Sequence, residues 1–147
     1  MHLTLTDEYH HDVVEDFVAD ADAVVENFRP GVMERLNLDY ETVSEMNPGI
    51  VYCSASGYGQ SGPYVEKPGQ DLLIQGESGL MSITGHRDTV PTPQGTPVVD
   101  FYTGTYLAFA ALAALHYREQ TGEGQYVDVD LFSSAIFLQS QELTVYT

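Results

Sequence analysis

A chain of 147 residues, 43% of them hydrophobic, is long enough for one domain with a core and too apolar for an intrinsically disordered segment. Twenty-two acidic residues against five basic ones give a formal net charge of −17. This excludes nucleic acid and anionic membrane as expected partners, because phosphate contacts need Lys and Arg. The acids are dispersed, with a concentration from Asp7 to Asp22, and Lys67 is the only lysine. That balance is read as adaptation to high salt, where ions screen self-repulsion, ahead of an ordinary acidic surface. No unbroken apolar run approaches the ~18 residues of a membrane span. Met1 to Glu8 lacks the basic and apolar regions of a signal peptide. One cysteine, Cys53, excludes a disulfide framework, and a cytoplasmic location is expected.

In chain order, His11 to Ala19 places Val13, Val14, Phe17 and Val18 at helical spacing. Ala23 to Val25 reads as a short buried strand, and Asn27 to Gly31 as a loop broken by Pro30. Tyr40 to Met46 is predicted helical, with Asp39 as its N-cap and Asn47-Pro48-Gly49 as its stop. Ile50 to Ala55 is the clearest strand, and Gly57 to Gly69 is a loop. Asp71 to Leu80 reads as a helix weakened by Gly76 and Gly79, and the three prolines between Gly85 and Pro97 make that stretch irregular. Thr103 to Glu119 is apolar on nearly all sides and is predicted to be a buried helix. Gly122 and Gly124 turn the chain into a strand, Tyr126 to Val129, before a last helix from Leu131 to Glu142. Alternating helix and strand predicts an α/β fold.

Gly57-Tyr58-Gly59-Gln60-Ser61-Gly62 is a literal G-x-G-x-x-G after a strand. A dinucleotide site needs a helix beginning at the third glycine, and Pro63 and Lys67-Pro68-Gly69 forbid one, so the glycines predict a tight loop instead. His10, His11, His86 and His116 lack ligand spacing, and no metal is expected. No G-x-S-x-G elbow is present, and Ser54 and Ser56 read as ordinary residues at a strand end. Asp100 follows Pro97-Val98-Val99 and stands just before the long apolar helix. The dipole and free N–H groups of that helix would favour its ionised form, and local features alone read it as a helix cap.

Longer motifs carry more. Ala21 to Gly31 (ADAVVENFRPG), Asn47 to Tyr64 (NPGIVYCSASGYGQSGPY), Gly79 to Gly85 (GLMSITG), Val99-Asp100 and Leu112 to Val129 resemble the class III CoA-transferases of the formyl-CoA and carnitine type, in order and near the family's spacing. The resemblance implies a Rossmann-like open sheet and coenzyme A, as acyl-CoA, for a substrate. It makes Asp100 the nucleophile that exchanges a thioester for a mixed anhydride and then for an aspartyl-CoA thioester. It places Asp71 close to that nucleophile, and Asn27, Phe28, Arg29, Arg35, Gly69 and Gln70 in contact with CoA. It further implies small carboxylic acids as the other substrates and a homodimer for the complete enzyme.

Three departures stand out. Thr4 and Thr6 replace positions where Asp and Lys are common in the family, which removes one phosphate contact. Gln70 stands where the related CoA-ester racemases carry a histidine, and an amide cannot shuttle a proton, so transfer is favoured over racemisation. Family enzymes are also two to three times longer, so an opening strand and helix are expected before Met1 and a small domain after Thr147. A catalytically silent segment that binds only CoA or a partner is the competing reading.

Overall fold

The computed structural model describes residues 4–5, 7–86 and 88–145. Thr6 and the two ends, Met1 and Thr147, on which expectations were placed, lie outside the described residues. Three strands, β1 (Ala23–Glu26), β2 (Val51–Ser56) and β3 (Gln125–Asp130), form a parallel sheet in the order β1-β2-β3. Val51 lies opposite Ala23 on one side and Gln125 on the other. Residues of like parity therefore share a face: Tyr52 and Tyr126 on one, Cys53 and Val127 on the other. Every residue of β2 is buried, Ser54 and Ser56 included, as expected of a central parallel strand covered on both faces.

Helices cover both faces. On the Tyr52 face lie α1 (Glu8–Asp20) and, past the single turn α2 (Val32–Arg35), α3 (Tyr40–Met46). Val18, Val43, Ile50 and Tyr52 form their shared core, and the buried Tyr52 hydroxyl donates to the Leu38 carbonyl at 2.8 Å. On the other face, Leu107 and Ala114 of α5 (Val98–Thr121) pack on Val51, Cys53, Ala55 and Val129. A third cluster joins α4 (Asp71–Glu77), the 3-10 turn Leu80–Ile83, the start of α5 and α6 (Leu131–Leu138) through Ile74, Leu80, Val99, Leu131 and Ala135. This is a mixed α/β fold. The reversal of strand order that marks a doubly wound sheet does not occur among these three strands.

Several expectations are corrected. The turn α2 went unpredicted because four residues carry no periodicity. The last helix is two: α6 stops at Gln139, whose buried amide donates to the Ala135 and Ser78 carbonyls, and α7 (Ser140–Val145) follows. Helix α5 begins at Val98, five residues earlier than expected, because Pro97 suits the position before a first turn and Asp71 takes the turn's free N–H groups. Nor is α5 buried all round. Val99, Thr103, Leu107 and Ala114 face inward, while Phe101, Phe109 and Leu112 are 68%, 68% and 66% exposed. By length and composition α5 could cross a bilayer; here it lies along a sheet.

Candidate active site

The site starts with a crossing of two glycines. A Cβ on Gly57 would lie 2.4 Å from the Gly69 Cα, and one on Gly69 2.2 Å from the Gly57 Cα, so neither position admits a side chain. Residues 57–69 therefore close as a loop at the end of β2, with no helix, as the sequence predicts. The loop releases the chain into α4 within two residues of its closure.

The first residue of α4 is Asp71, 7% exposed. Its Oδ2 accepts from the Val99 amide at 2.8 Å and the Asp100 amide at 3.1 Å, while its Oδ1 accepts from the Gln75 side-chain amide. A free helix terminus exposes four N–H groups, and this buried carboxylate takes two of them from across the fold. Asp71 is thus the cap of α5. Asp100 is not: it sits in the first turn of α5, and its side chain makes no capping bond there. The expected electrostatics are corrected as well. Partial burial first, and the neighbouring Asp71 charge second, push the Asp100 carboxyl above the ordinary carboxylate range. Asp100 remains open to solvent, in contrast to its buried neighbour Val99.

On the other side of the glycine crossing lies a groove. Asn27, Phe28, Arg29, Ser56, Gly57, Lys67 and Gly69 line its inner part, a cavity of about 90 Å³. Arg29, Arg35 and Lys67 line the outer part with Val32, Val65 and Glu66. The Asn27 amide donates to the Ala55 carbonyl at 2.6 Å, which fastens this loop to the end of β2. Of the described Lys and Arg side chains, the one outside the groove, Arg118, is paired with Asp22 at 2.8 Å. The fold therefore brings Asn27, Phe28, Arg29, Arg35 and Gly69 together. Gln70 is exposed at the N-cap of α4, beyond the lining.

Lys67 was missed in the sequence. Its Nζ lies 3.8 Å from the Tyr64 ring centroid and 3.5 Å from Glu77. The signal available was that the sole lysine stands two residues before Gly69. Asp128 was missed too: burial raises its carboxyl above the ordinary range, against a hydrogen bond from the Gln60 amide. Ser54 is more than a strand end, since it is fully buried and accepts from the Gln60 side chain at 2.8 Å. Among the described residues, His11, Asp12 and Glu15 offer ligand atoms within 4.8 Å of one another, with His11 Nε2 on the Leu36 carbonyl and its Nδ1 3.3 Å from Glu15.

The chain is 41% identical over 139 residues to an acetyl-CoA:oxalate CoA-transferase of Acetobacter aceti, covering 93% of this chain and 36% of that protein. It is 41% identical over 150 residues to a succinyl-CoA:mesaconate CoA-transferase of Haloarcula marismortui, covering 99% and 37%. The crystal structure of a CAIB/BAIF family protein from Brucella suis superposes with a TM-score of 0.95 at 38% identity, covering 98% of this chain and 38% of that one. The chain thus spans about a third of the length of these relatives. The sequence profile of CoA-transferase family III matches residues 1–147, and the chain belongs to that family.

Proposed function

We propose that this chain carries the nucleophile and part of the CoA site of an enzyme that moves coenzyme A between carboxylic acids. The observation behind this reading is a cationic groove that reaches Gly57 and Gly69, two residues before Asp71, whose carboxylate holds the first turn bearing Asp100. In a chain of net charge −17, three cations gathered on one groove suit the phosphates of CoA. The three strands would then belong to a larger Rossmann-like sheet, and turnover to a polypeptide of the relatives' length, in the cytoplasm.

In this mechanism an Asp100 oxygen attacks the thioester carbonyl carbon of acyl-CoA. A C–O bond forms, the C–S bond breaks, and CoA leaves as a thiolate, giving a mixed anhydride. The thiolate then attacks the Asp100 carbonyl carbon, which forms an aspartyl-CoA thioester and releases the donor as a carboxylate. The acceptor carboxylate reverses both steps. Burial and Asp71 make Asp100 a more basic, better nucleophile than a free aspartate, and esterifying it discharges the repulsion between the two. Asn27 and Phe28 would flank the pantetheine, Arg29, Arg35 and Lys67 the phosphates, and Gly69 and Gln70 the approach to Asp100.

The test is chemical trapping in a polypeptide of the relatives' length that contains this segment. With an acyl-CoA donor and hydroxylamine, Asp100 should become a hydroxamate, a mass gain of roughly 15 Da on its peptide. Asp100→Asn should abolish both label and transfer. Full activity in Asp100→Asn, or a label on Asp71, overturns the assignment.

A further inference from the structure

We infer that Gln75 is a positioning residue for Asp100, acting through the carboxylate of Asp71. Gln75 lies one helical turn after Asp71 on α4 and is 1% exposed. A glutamine there is costly, because its desolvated amide must find partners, and the neighbouring Ile74 packs in the same core without that cost. Both ends of the amide are used. Its Nε2 donates to Asp71 Oδ1, and its Oε1 accepts from the Gln94 backbone amide at 2.8 Å.

These two bonds join the pieces that determine where Asp100 sits. Gln94 belongs to the irregular stretch that runs into Pro97, the residue from which α5 starts, and its side chain donates to Thr84 Oγ1 at 2.9 Å. Asp71 supplies the acceptor that ends the same helix, at Val99 and Asp100. Gln75 thus fixes the strap leading into α5 with one atom and the cap of α5 with the other. Without its N–H donor, Asp71 Oδ1 would be a buried charge-bearing oxygen with no partner, and the carboxylate would turn towards water. The grip on the Val99 and Asp100 amides would loosen with it. A carboxylate nucleophile has to approach a thioester carbon within a few tenths of an ångström, so this grip matters for rate.

The catalytic meaning rests on Asp100 being the nucleophile; the linkage itself does not, and is measured on the 147-residue chain alone. In the native chain, through-hydrogen-bond scalar couplings should connect Asp71 Cγ to the Gln75 side-chain nitrogen and to the Val99 and Asp100 amide nitrogens. Their absence overturns the inference. Gln75→Leu removes the donor, and Gln75→Glu keeps the shape while replacing the donor with a second acceptor. Both should speed hydrogen exchange at the Val99 and Asp100 amides by about tenfold or more, with the Cys53 and Val43 amides unchanged. Native exchange at Val99 and Asp100 in Gln75→Glu also overturns the inference, since the grip on these amides would then not need the Gln75 donor. Should Gln75→Leu fail to fold, Gln75→Glu and the native couplings decide. Loosened amides in a polypeptide that never takes the hydroxylamine label would refute the nucleophile, not the linkage.

Discussion

The backbone amide of Asp100 donates to the carboxylate of Asp71, 29 residues earlier in the chain, at 3.1 Å. Two carboxylates expected to be neighbours are thus joined through main chain, and their roles divide. Asp71 is buried and occupied by donors on both oxygens, while Asp100 keeps its side chain open to solvent.

That division predicts opposite effects on stability. Asp71→Ala removes the cap of α5 and strands the buried Gln75 amide, at a cost of about 2 kcal/mol. The melting temperature of the chain should fall by about 4–8 °C. An unchanged melting temperature would mean that α5 does not depend on this cap.

Asp100→Asn should do the reverse at neutral pH. The folded state raises the carboxyl of Asp100, so it binds a proton more tightly than the unfolded chain does. Its contribution to stability is present below the unfolded value and is lost as pH rises through the folded one. Near pH 7 the charge is therefore a net cost that the amide removes. Because Asp100 is open to solvent the gain is small, about 1–3 °C, and it should vanish below about pH 4. Melting curves of both chains between pH 3 and 8 give the answer; a variant less stable than the parent at pH 7 contradicts the cause assigned to the shift.

What the sequence could reveal follows the range of the interactions. Asp39 caps α3 through the Thr42 amide three residues on, and the all-buried β2 lies in the largely apolar run from Ile50 to Ala55; both are written in adjacent residues. The start of α5 was misplaced because its cap is 28 residues away, on a helix that Gly76 and Gly79 made uncertain. The direction of the Asp100 shift was not legible because a dipole argument sees the helix and neither the partial burial of the carboxyl nor the charge of Asp71. The exposure of the outer face of α5 is not legible in the sequence because composition records apolarity and says nothing of what covers it. The residues of the cationic groove were named individually, and only the fold places Lys67 beside Arg29 and Arg35.

The uncovered face leads to a third prediction. Phe101, Phe109 and Leu112 line one uncharged stretch of α5, and such a patch drives association. The 147-residue chain should sediment as a concentration-dependent mixture at molar KCl, and Phe109→Ser with Leu112→Gln should shift it towards monomer. A monodisperse monomer at all concentrations would show that the face needs no partner.

The surface charge supplies a fourth. Among the described residues, the lysine and arginine ion pairs are Lys67–Glu77 and Arg118–Asp22, so most acids face solvent without a counter-charge. Repulsion among them is screened over about 3 Å at 1 M salt, against 30 Å at 0.01 M. The melting temperature should climb steeply between dilute and molar KCl. A flat profile would leave the acidity without a role in salt adaptation.

The cationic groove gives the last prediction, and it separates a CoA site from a chance meeting of cations. If Arg29, Arg35 and Lys67 hold phosphates, the chain should bind CoA and lose affinity for it when any of the three is removed. Each charge-assisted contact is worth about 1–1.5 kcal/mol, so each Ala variant should weaken binding by about five- to tenfold. The losses should shrink when the ligand is pantetheine, which has no phosphates. Arg118→Ala is the control, because Arg118 is occupied by Asp22 away from the groove and should leave CoA affinity unchanged. Lys67 tests the geometry hardest. Its ammonium sits against the Tyr64 ring and beside Glu77, so it must leave one of them to meet a phosphate. Glu77→Gln should therefore free it and tighten CoA binding, by about two- to threefold for a partly exposed pair. Calorimetric titrations of these variants at one fixed KCl concentration decide the matter: equal affinities for CoA and pantetheine, or a Glu77→Gln variant that binds more weakly, would remove the phosphates from this groove.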